Sequence, residues 1–303
     1  MCCLFGIHDY GHNLSRKQMN KIISVLSTAC EVRGTDATGI AYNCNGHMSI
    51  YKRPFPAHLM RFRIPNDVNV VMGHTRLTTQ GDQKFNFNNH PFRGVIGNQD
   101  FALAHNGVIY NDLKMQRRYH LPYTRIGTDS YVAVQMIERE GELSFESLRD
   151  VAETLEGSFT FTLLSDKNDL YFIKGDNPMC IYHFPGYGIY MYASTEEILQ
   201  KALSRIPYSF GKYDSIQLDC GEILRIDADG KCSMSYFNDI KLLYKFYDPW
   251  WWRETNCTEE SSEDPYLEEL KSIAAYCGIS SSDIDQLILE GFTYEEIEEM
   301  VYG

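Results

Sequence analysis

The chain has 303 residues, 44% hydrophobic and 23% charged, with a formal net charge of −13. That composition describes an ordinary globular protein with enough chain for one large domain or two modest ones. Nearly all the net charge lies in residues 258–303, which hold thirteen acids and one base, Lys271, so the preceding body is almost neutral. Neither part carries the basic face of a nucleic-acid binder. No apolar run approaches the roughly 20 residues that span a bilayer. Nine cysteines are scattered without a C-x-x-C pair, which argues against a structural zinc site or a disulfide framework. With no export signal at the start, the expected compartment is the cytoplasm.

The chain opens MCCLFGIHDY. If Met1 is removed, Cys2 carries a thiol and a free α-amine on one residue, a nucleophile with its own base. The opposing reading makes Cys2 and Cys3 two residues of a buried strand. A third, a metal site from Cys2, Cys3, His8 and His12, is interrupted by Gly11. Residues 17–31 carry Met19, Ile22, Ile23 and Leu26 at helical spacing. TGIAYN and MSIYK flank an Asn45-Gly46 turn, which favours a tight hairpin. VNVVMGHTR and FALAHNG read as buried strands running into polar loops.

Residues 129–139 and 144–155 are expected helices. GSFTFTLLSDKNDLYFIKGD alternates about an Asp-Lys-Asn turn, a hairpin pattern. Further strands are expected near 188–193, 215–219, 222–227 and 232–237, with a helix near 195–204. Residues 247–263, including Trp250, Trp251 and Trp252, read as a boundary and linker that follows a domain of residues 1–246. Residues 264–303 read as a small acidic module of three short helices at 265–276, 282–289 and 294–301.

Cys2 with Gly6, then RGTDATGIA, GHTRLTTQG, NNHPF, LAHNGVIYN and GTDSYV, occur in the order seen in class II glutamine amidotransferase domains. The chain resembles that family of N-terminal nucleophile hydrolases, which includes the glutaminase halves of glucosamine-6-phosphate synthase and amidophosphoribosyltransferase. The resemblance implies an α+β fold, a four-layer αββα sandwich of two antiparallel sheets between helices. It implies glutamine hydrolysis to glutamate and ammonia through a thioester on Cys2, with no metal or organic cofactor. Asn106 and Gly107 would stabilise the oxyanion. Arg76 would hold the α-carboxylate and Asp129 the α-ammonium, with Thr79 adding a contact. Arg33, Asp36, His74, His90 and His105 would support the site.

The sequence departs from the family pattern at Cys3, where glycine is usual, and at Leu77 and Gln80. Ammonia is expected to pass to a separate acceptor or synthase subunit, with the acidic C-terminal segment read either as its docking module or as a solvated acidic cap that aids solubility. Two other readings stand beside this one. One is an amidohydrolase of a different γ-glutamyl or amide substrate; the other is a non-catalytic binding protein on the same fold.

Overall fold

A computed structural model describes residues 2–243, 271, 279–289, 292, 297 and 300. The chain divides into two compact units, Met1–Phe246 and Tyr247–Gly303.

The first unit contains two antiparallel sheets. The strands are β1 (Cys3–Asp9), β2 (Ala37–Cys44), β3 (His47–Arg53), β4 (Val70–Arg76), β5 (Phe92–Ile96), β6 (Gln99–Ile109), β7 (Gly157–Ser165), β8 (Leu170–Lys174), β9 (Cys180–Phe184), β10 (Ile189–Ala193), β11 (Asp214–Ile216), β12 (Glu222–Ile226) and β13 (Cys232–Tyr236). One sheet has the order β11-β9-β10-β1-β4-β2-β3 and the other β13-β12-β8-β7-β6-β5. The helices are α1 (Arg16–Cys30), α2 (Asp112–Arg118), α3 (Tyr131–Glu140), α4 (Phe145–Thr154), α5 (Glu196–Arg205) and α6 (Ile240–Leu243).

Three buried clusters define four layers. Helices α1 and α5 pack on the outer face of the first sheet through Ile22, Ile23, Leu26, Leu199 and Ala202 against Phe5, Ile7 and Met191. Helices α3 and α4 cover the second sheet through Val132, Met136, Leu148 and Val151 against Phe101, Leu103, Phe159 and Phe161. Between the sheets lie Leu4, Met72, Ala102, Ala104, Leu164, Phe172 and Tyr192. The result is the expected αββα sandwich, with both sheet faces covered.

Local chemistry explains the elements. Ser15 caps α1 in a capping box with Gln18. Asn45 (φ 53°) and Gly46 (φ 76°) make the two-residue turn between β2 and β3, with both residues left-handed as a type I′ hairpin requires. The expected helices near 129–139, 144–155 and 195–204 correspond to α3, α4 and α5, each displaced at its ends by one or two residues. Sequence periodicity missed α2, whose seven residues are too few to establish a period. It also missed β5, where Gly94 interrupts the apolar alternation so that Phe101 can pack over it.

In the second unit, α7 (Ser281–Leu289) covers the expected helix at 282–289. Its Ile284 is buried with Ile297. The boundary segment 247–263 lies outside the described residues. So do the expected helices at 265–276 and 294–301, apart from Lys271, Ile297 and Met300.

Candidate active site

The site lies where β1 and β4 of one sheet end beside β6 of the other. Register explains why Cys2 and Cys3 differ. Cys3 pairs with Thr75 and Leu4 with His74. Successive side chains leave a strand on opposite faces. Cys3 therefore joins Phe5 and Ile7 on the helix-facing side, fully buried near Cys30. Leu4 faces the layer between the sheets. Cys2, one residue before the strand, is part-exposed and meets the chain leaving β4. Its Sγ lies 3.4 Å from both the N–H and the carbonyl oxygen of Leu77.

Arg33 and Asp36 brace this end. Arg33 Nε donates to the Cys2 carbonyl at 2.8 Å. The Asp36 carboxylate accepts from the Thr78 N–H at 2.7 Å, and its own N–H donates to the Arg76 carbonyl at 2.9 Å. Gly34 is required beside them, because a Cβ there would sit 2.4 Å from the Arg76 carbonyl carbon.

Arg76 is buried, 3% exposed. Its guanidinium donates to Asn89 Oδ1 at 2.7 Å, to the Gly81 carbonyl at 2.8 Å and to the Gln80 carbonyl. The planar fork thus holds the 77–81 loop closed against the NNHPF segment. Asn89 in turn accepts from Lys52 Nζ on its backbone carbonyl. Sequence reasoning missed both Asn89 and Lys52. The doubled asparagine of NNHPF was a visible signal for the first, whereas a lysine on an edge strand offered none for the second.

Asp129 is also buried. It accepts the Ile109 N–H at 2.6 Å, which anchors α3 to the end of β6. The Ser130 hydroxyl lies 3.3 Å from Asp129 Oδ1 and 2.8 Å from His105 Nδ1. His105 Nε2–H faces the Ser158 carbonyl at 3.3 Å, so Nδ1 is the acceptor in the neutral ring. The Cys2 thiol sits within electrostatic reach of both Arg76 and Asp129. Burial is the dominant influence on it and pushes its pKa up, despite the Leu77 N–H and Arg76. The resting group is therefore a thiol at neutral pH.

Asn106 is fully buried on β6, and neither its amide nitrogen nor its amide oxygen has a partner among the described residues. Such a group is costly to leave unpaired, and its retention is typical of a group that serves a ligand. Gly107, φ +145°, passes so close to β7 that a Cβ would meet the Ser158 oxygen at 1.8 Å. Only glycine fits there.

The structure brings together Cys2, Arg76 and Asp129, with Arg33 and Asp36 bracing the Cys2 end. Asn106 and Gly107 lie on the strand that Asp129 anchors. Thr79 stands apart: it is exposed. The hydroxyl of its neighbour Thr78 is the buried one, and it has no partner among the described residues.

Residues 74–201 match the glutamine amidotransferase domain family. Those residues carry the sequence pattern of a glutamine amidotransferase domain. Glutamine–fructose-6-phosphate aminotransferase (isomerizing) of Geobacillus kaustophilus is 32% identical over 189 residues, 60% of this chain and 30% of that protein. Its counterpart in Staphylococcus aureus strain Mu50 is 28% identical over 241 residues, 76% of this chain and 38% of that protein. The chain thus spans about a third of the length of the curated relatives it matches. The solved glutamine phosphoribosylpyrophosphate amidotransferase of B. subtilis superposes with a TM-score of 0.61 at 17% identity, covering 78% of this chain and 49% of that one. At that identity the likeness concerns the fold.

The rings of His74, His90 and His105 cluster, with His74 and His90 tilted against each other at a centroid distance of 4.3 Å. His74 Nε2–H donates to the His105 carbonyl at 2.9 Å, a link between the two sheets. Both ring nitrogens of His90 lack a partner among the described residues. Burial draws the His74 pKa down to about 3 and His90 well below its ordinary value. Both rings are neutral in the folded protein, whereas the unfolded chain binds their protons near pH 6.5. Stability from this source is present above about pH 6.5 and is lost as pH falls towards about 3, by about 1.4 kcal/mol per pH unit per group. Urea unfolding at pH 7 and pH 5 should show a marked loss at the lower pH. His74→Gln should flatten that difference; an unchanged slope would contradict the assignment.

Proposed function

We propose that the domain hydrolyses glutamine to glutamate and ammonia with Cys2 as nucleophile. The observation that carries this reading is the convergence of the Cys2 thiol with one buried cation, Arg76, and one buried anion, Asp129. An amino-acid head group carries the opposite pair of charges. Arg76 would take the α-carboxylate and Asp129 the α-ammonium, leaving the side-chain amide directed at Cys2.

Because burial keeps the thiol protonated, attack needs a base. Removal of Met1 would expose the α-amine of Cys2, whose reference pKa of about 7.7–8.0 suits it to accept the thiol proton at neutral pH. Sulfur adds to the amide carbon, and the developing oxyanion is met by the Asn106 amide and the Gly107 N–H. The proton returns to the departing nitrogen, ammonia leaves, and a γ-glutamyl thioester remains. Water then hydrolyses the thioester, releasing glutamate and restoring the thiol. Thr79 would add a contact to the head group, and the buried hydroxyl of its neighbour Thr78 is a second candidate for it.

We propose further that ammonia passes to an acceptor enzyme on another chain. The acidic segment 264–303, following a linker at 247–263, would dock that partner. Its support is the concentration of charge beyond residue 257.

Four outcomes test these assignments. A glutamine-like electrophile should modify Cys2 and leave Cys3 untouched in peptide mapping; an adduct confined to Cys3 would reverse the assignment. Asn106→Ala should lower kcat by about 10²–10³ with little change in KM, since the oxyanion exists only during reaction. Arg76→Ala and Asp129→Ala should instead raise KM, and wild-type values in both would exclude the proposed orientation. A chain shortened after Trp252 should keep basal hydrolysis and lose salt-sensitive partner binding. Loss of hydrolysis on shortening would make the segment part of the catalytic domain.

A further inference from the structure

Lys52 is a cation that the chemistry proposed above does not use, and register fixes where it points. On the first sheet Lys52 pairs with Gly39, Gly39 with His74, and His74 with Leu4. Residues paired in this way leave the sheet on one face. Leu4 lies between the sheets, so Lys52 points there as well. Arg76, two residues beyond His74 on β4, shares that face.

Gly39 lets the NNHPF segment lie directly against β2 and β3. A Cβ at that position would strike the His90 carbonyl oxygen, Pro91 Cδ and Lys52 Cβ. Lys52 Nζ donates to the carbonyl of Asn89 and, at 3.0 Å, to that of Pro91, and it lies 4.8 Å from the centre of the Phe92 ring. Its partners are carbonyl oxygens and a ring rather than a carboxylate. Burial draws its pKa down to about 8, with Arg76 acting in the same sense, so it remains mostly charged at pH 7. Asn89 is fully buried. Its Oδ1 accepts from Arg76 at 2.7 Å, and its Nδ2 donates to the Gln83 carbonyl at 2.8 Å. One rigidly held residue thus stands between the two cations.

We propose that Lys52 is a positioning residue for recognition of the substrate α-carboxylate. By fixing Asn89 it fixes the Arg76 guanidinium, and its own charge reinforces the cation that receives the carboxylate. This role rests on the reading of Arg76 as the head-group cation, and it falls on binding rather than on the chemistry at Cys2.

Steady-state glutamine hydrolysis by the full chain tests this role. Lys52→Met should raise KM at least tenfold with kcat within about twofold of wild type. In an Arg76→Ala background the same substitution should add less than about twofold, because the residue it acts through is gone. Lys52→Arg keeps the charge and the donors and should hold KM within about threefold of wild type. An unchanged KM in Lys52→Met, a loss confined to kcat, a tenfold rise in Lys52→Arg or a full multiplicative effect on Arg76→Ala would overturn the proposal. A second readout needs no turnover. The guanidinium nitrogen NMR signals of Arg76, identified by their loss in Arg76→Ala, should be resolved from one another in the wild type and averaged in Lys52→Met. If the wild type hydrolyses no glutamine, the functional reading fails and these signals alone decide the positioning. Averaged signals in the wild type, or resolved ones in Lys52→Met, would overturn it. Should Lys52→Met not fold, Lys52→Arg and the wild-type signals still decide.

Discussion

The pairing of β1 with β4 is the constraint on which the site depends. With Cys3 opposite Thr75, the pleat sends Cys3 into the helix-packed core and leaves Cys2 against Leu77. A slip of one residue would exchange the two faces and place the first thiol among Ile22, Ile23 and Leu26. Several close approaches hold the register. Gly6 and Gly73 lie in these two strands, where a Cβ would strike Tyr192 or the Phe5 ring. β2 extends the same pairing to Arg76, opposite Ala37.

Around that register, charge is organised through shared partners rather than isolated pairs. Asn89 receives Arg76 on its side chain and Lys52 on its carbonyl, so one residue ties the loop after β4 to the edge strand β3. Asp129 holds the end of β6 through Ile109 and touches the Ser130–His105 chain. These groups are buried, where each hydrogen bond is stronger and each unpaired group more costly than in water. The amide of Asn106 has no partner on either its nitrogen or its oxygen among the described residues.

The clustered histidines have a structural role. His74 bridges the sheets, and His90 fills space between His74 and Phe92 with no hydrogen bond of its own among the described residues. Burial that keeps these rings neutral removes them as acids at neutral pH and makes them packing groups. The base for the chemistry proposed here is accordingly sought at the chain's own amine.

The sequence alone determined the class of fold and most of its elements, and it named candidate residues that the fold brings near Cys2. It could do so because the strand and helix periods, the Asn45-Gly46 turn and the ordered motifs are local properties of the chain. It did not determine which residues support those groups. Lys52 lies 37 residues from Asn89, and their contact exists only because two sheet edges meet. The opposite destinations of Cys2 and Cys3 were likewise undecided by residue type, since the two residues are identical. Tertiary structure decided them, because a strand's register and the path of the loop after it set which of two neighbouring side chains is buried.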